Sequence, residues 1–331
     1  MLVVVHFSEY VIAGCWLVRQ DLLHFIGLPS NKTMNYTTRI RQTVTGLILG
    51  SFLTGLAIPA AMADEKKQES YTIGLSMYSL RKLFRDGSLK PLDYPAFAKK
   101  TFGITEIDIW DGGFSKEKRN DLEFYKELRK RSDAAGTNIF LVMAGAVNAT
   151  GETADERKKG GDEFKRYVDH AVILGSKFVR VFLKAPEGGK RKVAITNSIE
   201  ALTPLADYAK SKGVMIVIEP GASTWARNGH FLAALARTMK HPACRLMPDF
   251  GKLADPYCGT VAMLPYSESV SAKSWGFDDE GNEKNLSYFR LIRSINDVEY
   301  NKIIAIEYEG EETPPVEGVK ATQKLLERLR P

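Results

Sequence analysis

Short apolar runs alternate with longer amphipathic stretches from residue 72 to the end of the chain. A short, continuous apolar run is consistent with a strand that is buried on both faces. The pattern predicts eight strands, over Ile73–Tyr78, Ile104–Ile109, Asn138–Met143, Phe178–Leu183, Met215–Glu219, Arg245–Asp249, Val270–Trp275 and Ile303–Glu307.

The amphipathic stretches between these runs have the helical period. The segment between the sixth and seventh strands, YCGTVAMLPY, has room only for a short helix. In DERKKGGDEFKRYVDHAVILG, one helical face collects Phe164, Tyr167, Val168, Ala171, Val172 and Leu174, and Gly175 ends the helix. The predicted helices are Asp93–Thr101, Lys116–Ala135, Asp155–Leu174, Ile195–Lys212, Gly229–Lys240, Leu286–Asp297 and Val316–Arg330.

Eight successive β-then-α units in about 260 residues are the number and size expected of an α/β TIM (β/α)8 barrel. The main alternative is a doubly wound open sheet, whose first turn normally carries a glycine-rich phosphate fingerprint. The turn after the first predicted strand reads SLRKLFRDGS and lacks that fingerprint. No low-complexity linker interrupts residues 72–331, so we expect one barrel domain there, preceded by a short linker over residues 64–71.

Within the first 63 residues, the stretch from Met34 has the features of a secretory signal peptide, and residues 1–33 are expected to be an over-extended N-terminus. Arg39 and Arg41 precede an apolar stretch over Val44–Ile58, and Ala61-Met62-Ala63 is a small-x-small cleavage site. An uncleaved anchor is the alternative, but about 15 apolar residues are few for the ~20 that span a bilayer. We expect translation to start at Met34, and the cleaved protein to be periplasmic or secreted.

Composition and charge fit an ordinary soluble protein, with 44% hydrophobic and 26% charged residues. The net charge of +6 is modest for 331 residues, and lysine and arginine form no long block. A nucleic-acid groove usually shows a clustered basic surface. We therefore expect a small-molecule partner, no nucleic acid and, after cleavage, no membrane.

Three predicted strands end on a carboxylate: Glu219, Asp249 and Glu307. The ends of barrel strands carry the active site in this fold, and strand alternation points Glu219 and Glu307 into the barrel mouth. Converging carboxylates repel unless they are protonated or bind a cation, and oxygen ligands suit Mg²⁺ or Mn²⁺. The sequence therefore predicts a metal site, although a single strand-end glutamate is more often a solvated or salt-bridged residue. Glu309 has the same parity as Glu307 and competes for its role.

Other residues near the strand ends are candidates for substrate binding. Arg180 shares parity with Phe182 and could contact a hydroxyl or carboxylate group, or form a helix-facing salt bridge instead. Trp225 and Arg227 follow the fifth strand and could stack on and anchor a sugar, although Trp225 could equally pack within its loop. Asp108, at the end of the second strand, is a weaker candidate.

Five segments together resemble the sugar phosphate isomerase/epimerase family, which has a xylose isomerase-like TIM barrel. They are IGLSMYSLRKLF, IVIEPGAST, LMPDFGKL, VSAKSWGFDDEGNE and IIAIEYEG. The resemblance implies a divalent metal held by Glu, Asp, His and Glu from the fifth to eighth strands, of which Glu219, Asp249 and Glu307 match three. The family histidine falls on Ser271 or Lys273, and the charge of Lys273 could partly replace that of the metal.

The resemblance implies an isomerase or epimerase that abstracts a proton next to a sugar carbonyl, with Glu219 and Glu307 as base and acid and Lys273 as a supporting cation. Export implies an unphosphorylated sugar. A keto-sugar lyase or hydratase on the same site and a non-catalytic sugar-binding barrel are alternatives. An endonuclease-like hydrolase would need a histidine cluster, and only His170, His230 and His241 follow residue 63.

Overall fold

The computed structural model describes residues 70–331, so the predicted signal peptide and most of the predicted linker lie outside the described residues. Within them, eight parallel strands form one sheet in the order β6-β5-β4-β3-β2-β1-β8-β7. Bridges from Leu246 to Ser267 and from Asp249 to Ser271 join β6 to β7 and close the barrel. The strands are β1 Thr72–Leu75, β2 Glu106–Trp110, β3 Asn138–Asn148, β4 Phe178–Lys184, β5 Met215–Glu219, β6 Cys244–Leu246, β7 Ser269–Ser274 and β8 Ile303–Tyr308.

Helices connect the strands and cover the outside of the barrel, as expected for a parallel sheet whose crossovers are helical. Among residues 70–331, none of these helices combines the length and the apolar character needed to cross a bilayer. The α-helices are α1 Arg81–Arg85, α2 Tyr94–Phe102, α3 Leu122–Ala135, α4 Ala154–Lys159, α5 Lys165–Leu174, α6 Arg191–Ser211, α7 Gly229–Met239, α8 Pro256–Met263, α9 Tyr288–Asp297 and α10 Pro315–Leu329.

Two predicted helices differ from the observed ones because of a backbone contact in one case and a capping side chain in the other. The stretch predicted as one helix over Asp155–Leu174 is divided into α4 and α5, because Gly160 packs against the end of β3, where its added Cβ would collide with the Asn148 carbonyl oxygen. The exposed fraction of Val172 is 47%, so it does not belong to the buried face of α5. Helix α3 begins at Leu122 rather than Lys116, because the Asp121 side chain caps it by accepting hydrogen bonds from two backbone N–H groups.

The interior of the barrel is filled by side chains that alternate with those facing the helices. This interior cluster consists of Phe140, Leu141, Met143, Phe178, Val217, Met247 and Ala305. Val217 and Ala305 each lie two residues before a strand-end glutamate, so the same alternation carries those glutamates to the barrel axis. The packed interior closes the barrel below, and polar side chains gather above it at the carboxyl ends of the strands.

Candidate active site

Three carboxylates meet at the carboxyl ends of β5, β6 and β8. Each of Glu219, Asp249 and Glu307 offers an oxygen atom that lies within 4.8 Å of the others, and all three residues are buried. Glu219 is the last residue of β5, which Pro220 ends, and Gly221 turns the chain with a φ of +148° that disfavours other residues. Asp249 lies beyond the end of β6, which is shorter than predicted, and is held by its bridge to β7.

Lys252 lies in the middle of this carboxylate cluster. Its Nζ atom is 2.8 Å from Glu219 Oε1, 3.5 Å from Asp249 Oδ2 and 3.9 Å from Glu307 Oε1. The turn that carries it is fixed by Asp249 Oδ1, which accepts hydrogen bonds from the backbone N–H groups of Gly251 and Lys252, both at 2.8 Å. The sequence analysis did not select Lys252. Its position three residues after a strand-end aspartate, in the same turn, was the available signal.

Lys273 contacts the cluster from β7, the strand where the family histidine was expected. Its Nζ atom is 3.3 Å from Asp249 Oδ2, 3.4 Å from Glu307 Oε1 and 2.7 Å from Glu309 Oε1. The side chain is almost fully buried, and Gly251 passes so close that an added Cβ would lie 2.6 Å from Lys273 Cδ. Ser271 also faces the cluster, donating a hydrogen bond to Glu307 Oε2.

Arg180 completes the ring of cations from β4. Its Nε atom lies 2.9 Å from Glu219 Oε2, and its Nη1 donates to the carbonyl oxygen of Ala144 at 2.6 Å. Its guanidinium group lies over the Phe182 ring, 4.2 Å from the centroid. Arg180 therefore faces the barrel mouth, and the alternative of a helix-facing salt bridge was wrong.

Charge balance explains how a hydrophobic strand can end on the buried Glu219. Three carboxylates, at Glu219, Asp249 and Glu307, are interleaved with three cations, at Arg180, Lys252 and Lys273. Buried charges persist when they are paired in this way, because an unpaired ion would lose its hydration without compensation. Glu309, one-quarter exposed on its side chain, adds a fourth negative charge at the edge of the cluster.

The two glutamates have very different affinities for a proton. Burial raises the pKa of Glu219 to about 7, against the lowering effect of Lys252 and Arg180. Burial acts in the same direction on Glu307, but Lys252, Lys273 and the hydroxyl group of Ser271 outweigh it and hold its pKa well below the ordinary value. At neutral pH, Glu307 is ionised and Glu219 is close to half protonated.

Both lysines remain charged despite their burial. Burial lowers the pKa of Lys252, but the neighbouring carboxylates of Glu219, Glu307 and Asp249 outweigh it, and the net change is upward. The pKa of Lys273 is raised in the same way, chiefly by Glu307 and Asp249 against the effect of burial. The positive charges inside the carboxylate cluster are therefore permanent.

Asp108 lies in the middle of β2, not at its end as predicted, and is fully buried. Its Oδ1 atom accepts a hydrogen bond from the backbone N–H of Met77 at 2.8 Å, and its Oδ2 atom makes no hydrogen bond. Burial raises its pKa to about 8. Asp108 is thus mostly protonated at neutral pH and adds little negative charge to the site.

Two cavities open beside the carboxylate cluster. The larger, of about 510 Å³, is lined by Tyr78, Trp110, Asp111, Met143, Ala144, Gly145, Tyr167, Arg180, Phe182, Lys252, Glu307 and Glu309. The smaller, of about 350 Å³, is lined by Phe182, Gly221, Ala222, Arg227, Gly251 and Lys252. Both glutamates are buried, Glu219 being 1% and Glu307 3% exposed, but only Glu307 lines the larger cavity. Glu219 lines neither cavity, and the ammonium group of Lys252 lies 2.8 Å from it.

The predicted sugar-binding pair after β5 is separated in the structure. Arg227 lines the smaller cavity. Trp225 instead stacks on Phe231, with ring centroids 5.2 Å apart, which is the loop packing that the sequence left open. A substrate contact by Arg227 is compatible with this placement, and Trp225 serves the packing of α7.

The three carboxylates could hold a metal ion, because each offers one oxygen atom within reach of a common centre. Carboxylate oxygen is a suitable donor for a hard divalent cation. The family histidine has no counterpart here, since Ser271 and Lys273 occupy its place, and two ammonium groups lie against the same oxygens. The three carboxylates therefore fit a metal ion in chemical type and spacing. They are one protein ligand fewer than the four that the resemblance implies, and the ammonium groups of Lys252 and Lys273 compete with a metal ion for their oxygen atoms.

Solved structures share this fold at low sequence identity. The apo form of a 3-keto-D-glucoside 4-epimerase from E. coli is 12% identical, with a TM-score of 0.60 over 78% of this chain and 99% of that one. The probable 3-DHS dehydratase AsbF of Bacillus anthracis is 13% identical, with a TM-score of 0.60 over 77% and 98% of the two chains. An IolI protein with a bound zinc atom is 14% identical, with a TM-score of 0.59 over 78% and 97%.

Comparison with curated proteins gave no match. The family model for the xylose isomerase-like TIM barrel matches residues 96–330, which include seven of the eight strands and every residue of the carboxylate cluster. The match confirms the resemblance found in the sequence. The chain therefore belongs to the xylose isomerase-like TIM barrel family.

Proposed function

We propose that this protein is a carbohydrate isomerase or epimerase that moves a proton at a carbon atom next to a carbonyl group. The observation that carries the proposal is the contrast between Glu219 and Glu307, whose pKa values lie on opposite sides of the ordinary one. Two neighbouring carboxylates with separated pKa values can begin a reaction in opposite protonation states, one as base and one as acid. Family membership and a structural neighbour named as a sugar epimerase support the carbohydrate class.

In the proposed mechanism, the ionised Glu307 takes the proton from the substrate carbon, because it lines the larger cavity. Lys252 lines the same cavity, and its ammonium group stabilises the negative charge that develops on the carbonyl oxygen. Glu219, which carries a proton in about half of the molecules at pH 7, returns a proton once Lys252 uncovers it. Lys273, with its ammonium group 3.4 Å from Glu307 Oε1, helps to keep Glu307 ionised.

The cofactor that we propose is Mg²⁺ or Mn²⁺, bound weakly by Glu219, Asp249 and Glu307, with water completing the shell. Such an ion would supply Lewis-acid polarisation of the substrate carbonyl, the role that the ammonium group of Lys252 has when no ion is bound. A structural neighbour with a bound zinc atom supports a metal in a protein of this fold.

We also propose that the protein acts outside the cytoplasm on unphosphorylated sugars. The signal-peptide features of residues 39–63 support export, and phosphorylated sugars are retained in the cytoplasm. Arg180 and Arg227, which line the two cavities, are the proposed substrate contacts.

Exchange of substrate hydrogen with solvent tests the proton transfer directly. The protein is incubated in D₂O with a panel of unphosphorylated keto-sugars, and deuterium at the carbon next to the carbonyl is followed by NMR. Glu307→Gln should abolish the exchange, and Lys302→Met, at the opposite end of β8, should leave it unchanged. Binding of a sugar without any exchange would instead support a non-catalytic barrel.

A keto-sugar lyase or hydratase is the second candidate, favoured by the structural neighbour named as a probable dehydratase. It would use the same abstraction by Glu307, followed by loss of the group on the next carbon, so no change of acid or base is needed. The same NMR spectra distinguish the two reactions. An epimerase conserves the carbon skeleton and its substituents, whereas a lyase releases the leaving group and forms an unsaturated product.

A further inference from the structure

Lys252 occupies the position that a metal ion would take among the three carboxylates. Its Nζ atom lies within 4 Å of Glu219, Asp249 and Glu307, at 2.8, 3.5 and 3.9 Å. These three residues form the group whose oxygen atoms are spaced for a metal in residues 70–331. An ammonium group and a divalent ion at this centre would need the same carboxylate oxygens, so both cannot be present at once.

The chain holds this lysine at the site in two ways. Its own backbone N–H donates to Asp249 Oδ1 at 2.8 Å, which ties the turn to one of the carboxylates. Its ammonium group lies over the ring of Phe182, with Nζ 4.8 Å from the ring centroid. A charge delivered by a short, fixed turn acts at a high effective concentration, against which a metal from solution must compete.

The smaller cavity gives Lys252 a place to go. Lys252 lines both cavities, and the smaller one is otherwise formed by Phe182, Gly221, Ala222, Arg227 and Gly251. Rotation of the side chain into this space would remove the ammonium group from the carboxylates and uncover Glu219. The backbone of the turn need not move, because its hydrogen bonds to Asp249 do not involve the side chain of Lys252.

We infer that Lys252 is an internal competitor for the metal site: its ammonium group and a divalent cation are alternative occupants of one position between Glu219, Asp249 and Glu307. Metal binding then requires Lys252 to turn away, and the affinity of the protein for divalent ions is set by the cost of breaking the ion pairs of Lys252. The inference deepens the proposed function, but it concerns cation binding alone. It can therefore hold or fail without any sugar being turned over.

Titration with Mn²⁺ alone, in the absence of substrate, tests the inference. Free Mn²⁺ is measured by EPR for the parent protein, for Lys252→Met and for Lys302→Met as a matched control. Lys302 also pairs with a carboxylate, Glu268 at 2.9 Å, but lies before β8 at the opposite end of the barrel. Lys252→Met should bind Mn²⁺ about tenfold more tightly or better, since hydrogen bonds to a charged group no longer have to be broken. Lys302→Met should match the parent.

A charge-conserving variant separates the role of the cation from that of packing. Lys252→Arg retains a positive charge in the same turn and should bind Mn²⁺ as weakly as the parent. Equal affinities for the parent and Lys252→Met, or tightening by Lys302→Met, would overturn the inference.

If Lys252→Met does not fold, crystals of the parent soaked in Mn²⁺ decide the question. Anomalous density between the three carboxylates should coincide with rotation of Lys252 out of the cluster. The proposed exchange would be contradicted if manganese were bound there while Lys252 still contacted Glu219. It would also be contradicted if no manganese were bound at a concentration that saturates Lys252→Arg.

Discussion

Replacing Glu219 by glutamine should make the folded protein more stable at pH 8. The pKa of Glu219 is about 7 in the folded protein against an ordinary value of 4.5, so the fold binds the proton of this group more tightly than the unfolded chain does. The contribution of Glu219 to stability is therefore complete below pH 4.5 and is lost as the pH rises through 7. A tenfold change in proton affinity corresponds to about 1.4 kcal/mol, so the ionised Glu219 destabilises the fold by about 3 kcal/mol at pH 8. Glutamine, which is neutral and of the same size, removes this penalty.

Glu307→Gln is the matched control and should have the opposite effect. The pKa of Glu307 is held below its ordinary value, so its ionised form favours the folded state. That contribution is present above pH 4.5 and is lost as the pH falls towards the folded-state pKa. Glutamine at this position loses the charge that compensates Lys273, and the variant should be less stable than the parent at pH 8.

Urea unfolding followed by tryptophan fluorescence measures both effects, with the free energy of unfolding obtained by linear extrapolation. At pH 8 the two variants should lie on opposite sides of the parent. At pH 5 the advantage of Glu219→Gln should shrink to less than about 1 kcal/mol, because Glu219 in the folded parent is then protonated. If Glu219→Gln is destabilised at pH 8 as much as Glu307→Gln, the two carboxylates do not have separated pKa values, and the assignment of acid and base loses its basis.

Three further predictions concern Lys273, Gly251 and the N-terminus. Lys273→Met should lower the free energy of unfolding by about 1–3 kcal/mol, because three carboxylates lose a cation. Lys273→His should instead tighten Mn²⁺ binding about tenfold. If Lys273→Met has the stability of the parent and Lys273→His has its Mn²⁺ affinity, Lys273 does not compensate the charge of the carboxylates. Gly251→Ala should cost about 1–3 kcal/mol in thermal unfolding, since the new methyl group would displace Lys273 or Trp275, whereas Gly276→Ala, where the nearest atom is 3.7 Å away, should have a smaller effect. N-terminal sequencing of the exported protein should begin at Asp64, and a protein that begins at Met34 would contradict the predicted cleavage.

The fold could be predicted because the sequence shows both the short apolar runs of buried strands and the period of about 3.6 residues that amphipathic helices have. Strand β5 has the bounds that its apolar run predicted, and the alternation within it placed Glu219 in the barrel mouth. The same reasoning placed Glu307. Lys273, which the family resemblance indicated instead, is the direct neighbour of Glu307 in the register of β7 and β8. For residues inside regular strands, local pattern and tertiary position carry the same information.

Residues on turns could not be placed in this way. Lys252 follows Asp249 in a loop, where no period relates sequence position to side-chain direction, and its role depends on contacts made after the barrel closes. Trp225 is a second example. The sequence left open whether this aromatic residue near the strand end stacks on a sugar or packs within its loop, and its stacking on Phe231 depends on the tertiary structure. The division of one predicted helix into α4 and α5 likewise depends on a distant backbone contact, between Gly160 and Asn148.

The wall between the two cavities is formed by one rigid and one movable group. The ring of Phe182 is fixed in β4, whereas the ammonium group of Lys252, which lies over that ring, ends a flexible side chain. With Lys252 among the carboxylates, the barrel mouth consists of two cavities. If Lys252 turns aside, the two cavities join beside the ring, and the carboxylates face a space of different shape. The net charge at the centre of the barrel and the length of ligand that its mouth can accept are thus controlled by one side-chain rotation.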